Sequence, residues 1–279
     1  MRLVDSHCHL QTAPFRDDLD EVVAAALAAG IERILVPGVD LGTSRAALAV
    51  VDRHPWMDAA VGIHPHVSAD ATAAAWALVE ELARDERVVG IGETGLDYDR
   101  AFSPRDAQLE NLRRNLVLAL ELGKPAILHC RSKPGERDAQ DDLIAELVAA
   151  GFGAPAARAA FGDRPPAVLH SVSGPVDYVR TALALGLAVS VSGLAFRRGE
   201  EPTADAVRLV PADRILFETD SPYLAPPGAP RRRNAPGWVA ITARWTAERR
   251  GEAEDDFGAA LVASYDRAFV REDRPPLPG

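Results

Sequence analysis

The chain has 279 residues, 47% of them apolar and 26% charged, which suits a globular protein with one large core. A net charge of −10 excludes general nucleic-acid affinity through the whole-molecule field, though not a local basic site. Two cysteines, Cys8 and Cys130, exclude a disulfide framework; no apolar run is long enough to span a membrane, and the N-terminus turns polar too early for a secretory signal, so the expected compartment is the cytoplasm.

Short β-like runs alternate with amphipathic helical stretches along the whole chain. "RLVDSHCH" precedes "DDLDEVVAAALAAG", which Gly30 closes as a C-cap. "ERILVPG" leads to "GTSRAALAVVDRH", and "MDAAVGIHPH" leads to "DATAAAWALVEELARD". The fourth run, "RVVGIGETG", precedes "PRDAQLENLRRNLVLALELG", with Pro104 near the first turn. "KPAILHC", "PAVLHSVSG", "LAVSVSG" and "RILFETDSP" complete the series, each followed by a helical pattern. A last stretch, "EDDFGAALVASYDRAFV", is expected to pack across one end.

Eight β-runs, each followed by a helix, indicate a (β/α)8 TIM barrel with an extra C-terminal helix. No Gly-rich phosphate loop follows the first strand, which argues against a doubly wound open sheet. The expected organisation is one domain over 1–270, with 271–279 a loosely ordered tail. Residues 151–166 read as an excursion between the fifth helix and the sixth strand.

Six of the seven histidines fall at the C-terminal ends of β-runs: His7, His9, His64, His66, His129 and His170. Glu93 and Asp220 end the fourth and eighth runs, and only His54 stands apart, as an exposed turn residue. In a barrel these strand ends share one face, where active sites of the fold are built. Strand alternation points Asp5, His7 and His9 inward and turns Cys8 toward the helices; His129 and Arg131 likewise share a direction that Cys130 does not. Both cysteines then read as small buried apolar residues rather than ligands. Asp5 is placed to hydrogen-bond a ligating histidine from behind, and Glu218 to make a polar contact on the barrel floor.

His7, His9, Glu93, His129, His170 and Asp220 are too many ligands for one catalytic ion with an open position. Two divalent ions sharing a carboxylate fit better, and Glu93 is the natural bridge because the fourth strand lies between the others. Asp220 is suited both to ligate and to accept the proton of an attacking water.

The words "DSHCHL", "GIHPH", "GETGLDY", "LHCR", "HSVSG" and "ETDSPYLAP…RRRNAP", in this order from about residue 3 to about residue 240, resemble the TatD family of metal-dependent deoxyribonucleases within the amidohydrolase-like barrels. The resemblance implies divalent-metal hydrolysis of phosphodiesters, as an exonuclease acting at DNA ends or on a small phosphoester. Two ions (Mg, Mn or Zn) are implied: His7, His9 and Asp220 hold one, and Glu93, His129 and His170 hold the other, with Glu93 touching both. It also implies that His64 faces the substrate phosphate and that Arg131 lies close by; a salt bridge from Arg131 to Asp97 or Asp99 is the alternative. No membrane contact and no obligate protein partner are expected. The rival activity is hydrolysis of C–N or C–O bonds in a small molecule.

Two features depart from the family's pattern. The stretch between His129 and His170 is longer, mainly through 151–166, and "CRSKPGERD" replaces the usual arginine-acid-alanine pattern after the fifth strand; this loop is expected on the active-site face, where it bears on substrate choice. Val172 stands where an aromatic is usual, removing one surface for base stacking. Arg231–Arg233, after the eighth strand, is a candidate grip for a nucleic-acid backbone.

Overall fold

The computed structural model describes residues 1–230 and 232–278. Its first half comprises β1 Leu3–Asp5, α1 Leu19–Ala28, β2 Ile31–Pro37, α2 Leu41–Arg53, β3 Asp58–Val61, α3 Ala73–Leu82, β4 Val88–Asp97 and α4 Arg105–Leu122. The second half comprises β5 Ala126–Arg131, α5 Asp138–Ala149, α6 Pro155–Phe161, β6 Ala167–Leu169, α7 Val176–Ala184, β7 Ala188–Val191, α8 Glu201–Ala206, β8 Ile215–Phe217, α9 Val239–Arg250 and α10 Glu254–Ala268. All strands are parallel and neighbour one another in chain order. The ring closes through main-chain hydrogen bonds between the segments that follow β1 and β8: Ser6 N–H donates to Phe217 O (2.8 Å), and His9 N–H donates to Ser221 O (2.8 Å). The expected TIM barrel is therefore present.

The strands are short but buried on both faces, as parallel strands wrapped by helices must be. Every residue of β4 is buried. Local signals set the helix ends. Asp40 and Thr43 form a reciprocal capping box at the start of α2, and Gly123, in the left-handed region with φ +61°, ends α4. The final helix, α10, crosses the N-terminal end of the barrel, where Tyr265 donates to Asp58 at the start of β3 (2.9 Å) and Asp266 receives Arg33 of β2 (2.8 Å).

Four expectations change. The tail from 271 has no regular element, but Arg271 and Arg274 bury their guanidinium groups on Asp58, which needs cationic partners because it is fully buried. His54 is not a free turn residue: it is half-buried, with Nε2 3.1 Å from Asp20. The 151–166 excursion contains the helix α6. It also lies on the N-terminal face, away from the active-site face, because it joins the end of α5 to the start of β6; Pro166 O accepts from Ala126 N–H at the start of β5. Within the Arg231–Arg233 cluster, Arg231 lies outside the described residues. Arg233 is committed to Asp18 (2.6 Å) and to the carbonyl of Pro14, so it ties the loop after β8 to the segment before α1.

Candidate metal centre

The polar residues expected at strand ends gather at the C-terminal mouth of the barrel, but several lie just past their strands. β1 ends at Asp5, and His7 and His9 follow on an extended segment whose hydrogen bonds alternate between β2 (Cys8 N–H to Leu35 O, 3.0 Å) and the loop after β8. His64 caps a 3-10 turn, Pro65–Asp70, and its Nδ1 accepts from His66 N–H. Asp220 has φ +53° and donates its N–H to His7 O (2.9 Å), which locks the two motifs together. Gly95 has φ +133°, and a Cβ there would overlap the carbonyl oxygen of His129; glycine lets β4 approach β5 closely enough to bring Glu93 and His129 together.

Glu93, buried, is the hub. On one side its Oε2 lies 3.2 Å from His7 Nε2 and 3.6 Å from His9 Nε2. Asp220 Oδ1 approaches the same two nitrogens, at 3.9 and 3.3 Å. On the other side Oε1 lies 3.2 Å from His129 Nδ1, 3.5 Å from His170 Nε2 and 3.1 Å from His64 Nε2. The imidazoles of His7 and His170 stack between the two groups, with centroids 3.6 Å apart.

A further layer orients these rings. Asp97 Oδ2 meets His129 Nε2 (3.1 Å) and His66 Nε2 (2.7 Å), while its Oδ1 accepts the N–H groups of Asp99 and Arg100. Glu218 Oε1 lies 2.7 Å from His170 Nδ1 and accepts from Ser171 N–H and Oγ–H. Asp5 does not serve His7 in this way. Its carboxylate takes the backbone N–H and hydroxyl of Thr219, at 2.9 and 2.6 Å, and approaches only the backbone nitrogen of His7. The histidine-orienting carboxylates are thus Glu218 and Asp97. In the sequence Asp97 reads only as a partner for Arg131, although strand parity puts it on the same side as Glu93.

The electrostatics follow from burial and crowding. Burial alone would raise Glu93, but His64, His7 and His170 together hold it well below the usual carboxylate range. Burial holds His64 down to about 4, and burial together with His170 lowers His7. Burial pushes Asp5 up to about 8 and Cys130 up to about 12, and holds Cys8 well above its ordinary value. Neither thiol is a ready thiolate ligand, and both are free and packed with the core.

The donor set suits divalent cations. Three groups, His7/His9/Glu93, Glu93/His129/His170 and His7/His170/Asp220, each present nitrogen and carboxylate ligand atoms within 4.8 Å of one another. Atoms on opposite sides of an ion at about 2.1 Å each would be separated by slightly less than this. The Nε2 atoms of His7 and His9 lie 3.2 Å apart, an arrangement that a shared cation stabilises. His7 Nδ1 is buried without a hydrogen-bond partner among the described residues.

Other residues frame the mouth. Arg131 is paired with Asp99 (Nε to Oδ2, 2.8 Å) and is half exposed. His64 keeps both ring nitrogens engaged within the protein, on His66 N–H and Glu93, so it does not present a free nitrogen to a phosphate. Val172 is buried. Two aromatics that sequence reading passed over are exposed on the rim: Phe102, 69% exposed, lies edge-on to His66 (4.8 Å between centroids), and Tyr223, 59% exposed, lies edge-on to His9 (6.1 Å). Asn234, fully buried, donates to the carbonyls of Thr219 and Tyr223 and so holds the loop carrying Asp220.

Residues 4–270 match the family model described as TatD related DNase. The chain is 32% identical over 268 residues to YabD, a metal-dependent hydrolase of Bacillus subtilis (strain 168), covering 96% of this chain and 98% of that protein. It is 34% identical over 276 residues to the 3'-5' ssDNA/RNA exonuclease TatD of Erwinia billingiae (strain Eb661), covering 96% and 98%. Among solved structures, the TatD homolog YJJV of Escherichia coli K12 superposes with a TM-score of 0.82 at 25% identity, covering 96% of this chain and 98% of that one. A TatD family hydrolase from Entamoeba histolytica shares the fold, with a TM-score of 0.83 at 18% identity over 97% and 99%.

Proposed function

The chain belongs to the TatD related DNase family of metal-dependent hydrolases, and we propose from that premise that it is a two-metal phosphodiesterase removing nucleotides from the end of a DNA strand. The observation that carries this reading is the position of Glu93, whose two oxygens face two separate sets of nitrogen ligands at the barrel mouth. The Erwinia relative is a 3'-5' ssDNA/RNA exonuclease, which extends the proposal to single-stranded DNA or RNA cleaved from the 3' end.

His7, His9 and Asp220 would hold one ion, Glu93, His129 and His170 the other, with Glu93 reaching both. Mg, Mn or Zn bound there would polarise the phosphodiester and acidify a water to near neutral pH. Asp220 accepts the proton of the attacking water, since it is the one carboxylate of the set open to solvent. Glu218 and Asp97 hold His170 and His129 so that their other nitrogens face Glu93. His64 steadies Glu93 rather than gripping substrate. Arg131 takes an anionic oxygen of the strand, in competition with Asp99. Phe102 and Tyr223 offer faces on which end bases stack, in place of the aromatic absent at Val172.

Glu93, rather than a lysine, also supports phosphodiester chemistry over C–N or C–O hydrolysis of small molecules. Lys124 is held by the carbonyls of Ala83 and Asp85 ahead of β4, and Lys133 is exposed in the loop after β5. No helix among the described residues is long and apolar enough to cross a membrane.

The test is metal reconstitution. Stripped protein should leave a 5'-labelled single-stranded oligonucleotide intact, and Mg²⁺, Mn²⁺ or Zn²⁺ should restore stepwise shortening. Cleavage that survives Asp220→Ala would come from a contaminating nuclease and overturn the assignment.

A further inference from the structure

The 151–166 excursion serves no part of the metal centre, yet it builds a cavity. Between α6, the end of α7 and the segment before β8 lies a space of about 340 Å³ at the N-terminal end of the barrel. Four arginines line it, Arg158, Arg164, Arg214 and Arg267, against one carboxylate, Asp163. That is an unusual gathering of positive charge in a chain of net charge −10.

These guanidinium groups are only partly used. Arg164 donates one nitrogen to the carbonyls of Gly123 (3.1 Å) and Ala160 (3.4 Å), and Arg214 donates one to Leu183 O (3.2 Å). Arg267 donates to Asp163 O (2.8 Å) and lies 3.7 Å from Asp213, while its buried Nε has no partner among the described residues. Arg158 makes no side-chain hydrogen bond or ion pair among the described residues and is exposed. Each guanidinium carries five N–H donors in a fork that matches phosphate geometry. Backbone carbonyls therefore anchor the arginines and leave most donors free. Burial also disfavours the charge on Arg164, a cost that a nearby anion offsets.

We propose that this cavity is a second ligand site, separate from the metal centre, which takes a phosphate monoester or inorganic phosphate. Its volume admits one phosphate-bearing small group. The chemistry is shared by a free mononucleotide and by the terminal phosphate of a strand, so the experiment separates the two.

Metal-loaded wild type and Arg158→Glu are titrated calorimetrically with inorganic phosphate, with 5'-dAMP, and with a 5'-phosphorylated phosphorothioate 12-mer that resists cleavage. The substitution is exposed and breaks no bond, so thermal midpoint and far-UV CD should not change. One binding event should weaken roughly tenfold or more in Arg158→Glu, as for the loss of a charge-assisted bond plus added repulsion, while binding at the metal centre stays constant. Weakened phosphate and dAMP binding identifies a free small anion; weakening confined to the 12-mer identifies a strand terminus. Arg214→Gln, which leaves the metal centre untouched, should reproduce the effect. Superimposable isotherms for wild type and both variants with all three probes would overturn the proposal.

Discussion

The imidazoles of His7 and His170 stack nearly parallel, 19° between planes and 3.6 Å between centroids, and this contact joins the two halves of the centre. His7 comes from the segment after β1 and His170 from the residue after β6, so strands on different sides of the barrel meet at one point. Glu93 faces the same junction from β4. A shared carboxylate between two ligand sets has consequences that a pair of independent sites lacks.

Metal content should therefore respond unequally to substitution. Glu93→Gln removes the charge common to both sets and should lower bound metal from about two ions per chain toward none. His9→Ala touches one set and should leave about one ion. Elemental analysis of the dialysed, folded proteins checks this; equal losses in the two variants would argue against sharing.

Glu218 acts through His170 rather than on substrate. Its carboxylate, held below its ordinary pKa chiefly by His170 once the cost of burial is met, fixes the ring through Nδ1. Glu218→Gln should reduce metal affinity roughly 10–100-fold with the fold retained. Excess metal should rescue its activity, whereas a variant lacking a proton-accepting group, such as Asp220→Asn, should stay inactive at any metal concentration.

Phe102 and Tyr223 spend large apolar faces on solvent, which makes no contribution to the core. Stacking one base on such a ring is worth about 1–3 kcal/mol, so each alanine variant should raise KM for a single-stranded oligonucleotide roughly 5–150-fold. An oligomer with abasic sugars at the cleaved end should be hydrolysed equally by wild type and variants. An equal loss on both substrates would mean that the rings only shape the rim.

A pH effect should arise far from the centre. Asp85 accepts three hydrogen bonds from Arg87, at Nε (2.8 Å), the terminal nitrogen (2.6 Å) and the backbone (2.9 Å), and Arg87 holds its pKa below the ordinary value. The unfolded carboxyl, with a pKa of about 3.9, then binds more protons than the folded one, so this stabilisation is full above that value and is lost as pH falls through the folded pKa. Asp85→Asn should be less stable than wild type by roughly 0.5–1.5 kcal/mol at pH 7. Urea denaturation curves of the two proteins should converge only as the pH falls through the lowered folded pKa of Asp85, below the unfolded carboxyl's value; a constant gap would assign the loss to packing.

Much was legible in the sequence because it depends on local pattern. Period-2 runs and helical periodicity delimited eight strands and their helices, and parity along "DSHCHL" and "LHCR" separated the histidines from Cys8 and Cys130, both of which pack with the core. What stayed hidden depends on contacts between segments distant in the chain. Asp5 is two residues from His7 in sequence, yet its oxygens are taken by Thr219, and the carboxylate that orients a histidine is Glu218, brought to His170 by strand twist and register. The 151–166 excursion had the same character. Its place between the fifth helix and the sixth strand marked it as an excursion, but which end of the barrel it occupies follows from the direction of β6, and its arginines share a cavity only because α7 and the segment before β8 close around them. Residue type and spacing dictated which chemistry the chain carries. Only the closed ring of strands decided which groups touch, since side-chain neighbours in a barrel are set by hydrogen-bond register between strands and not by distance along the chain.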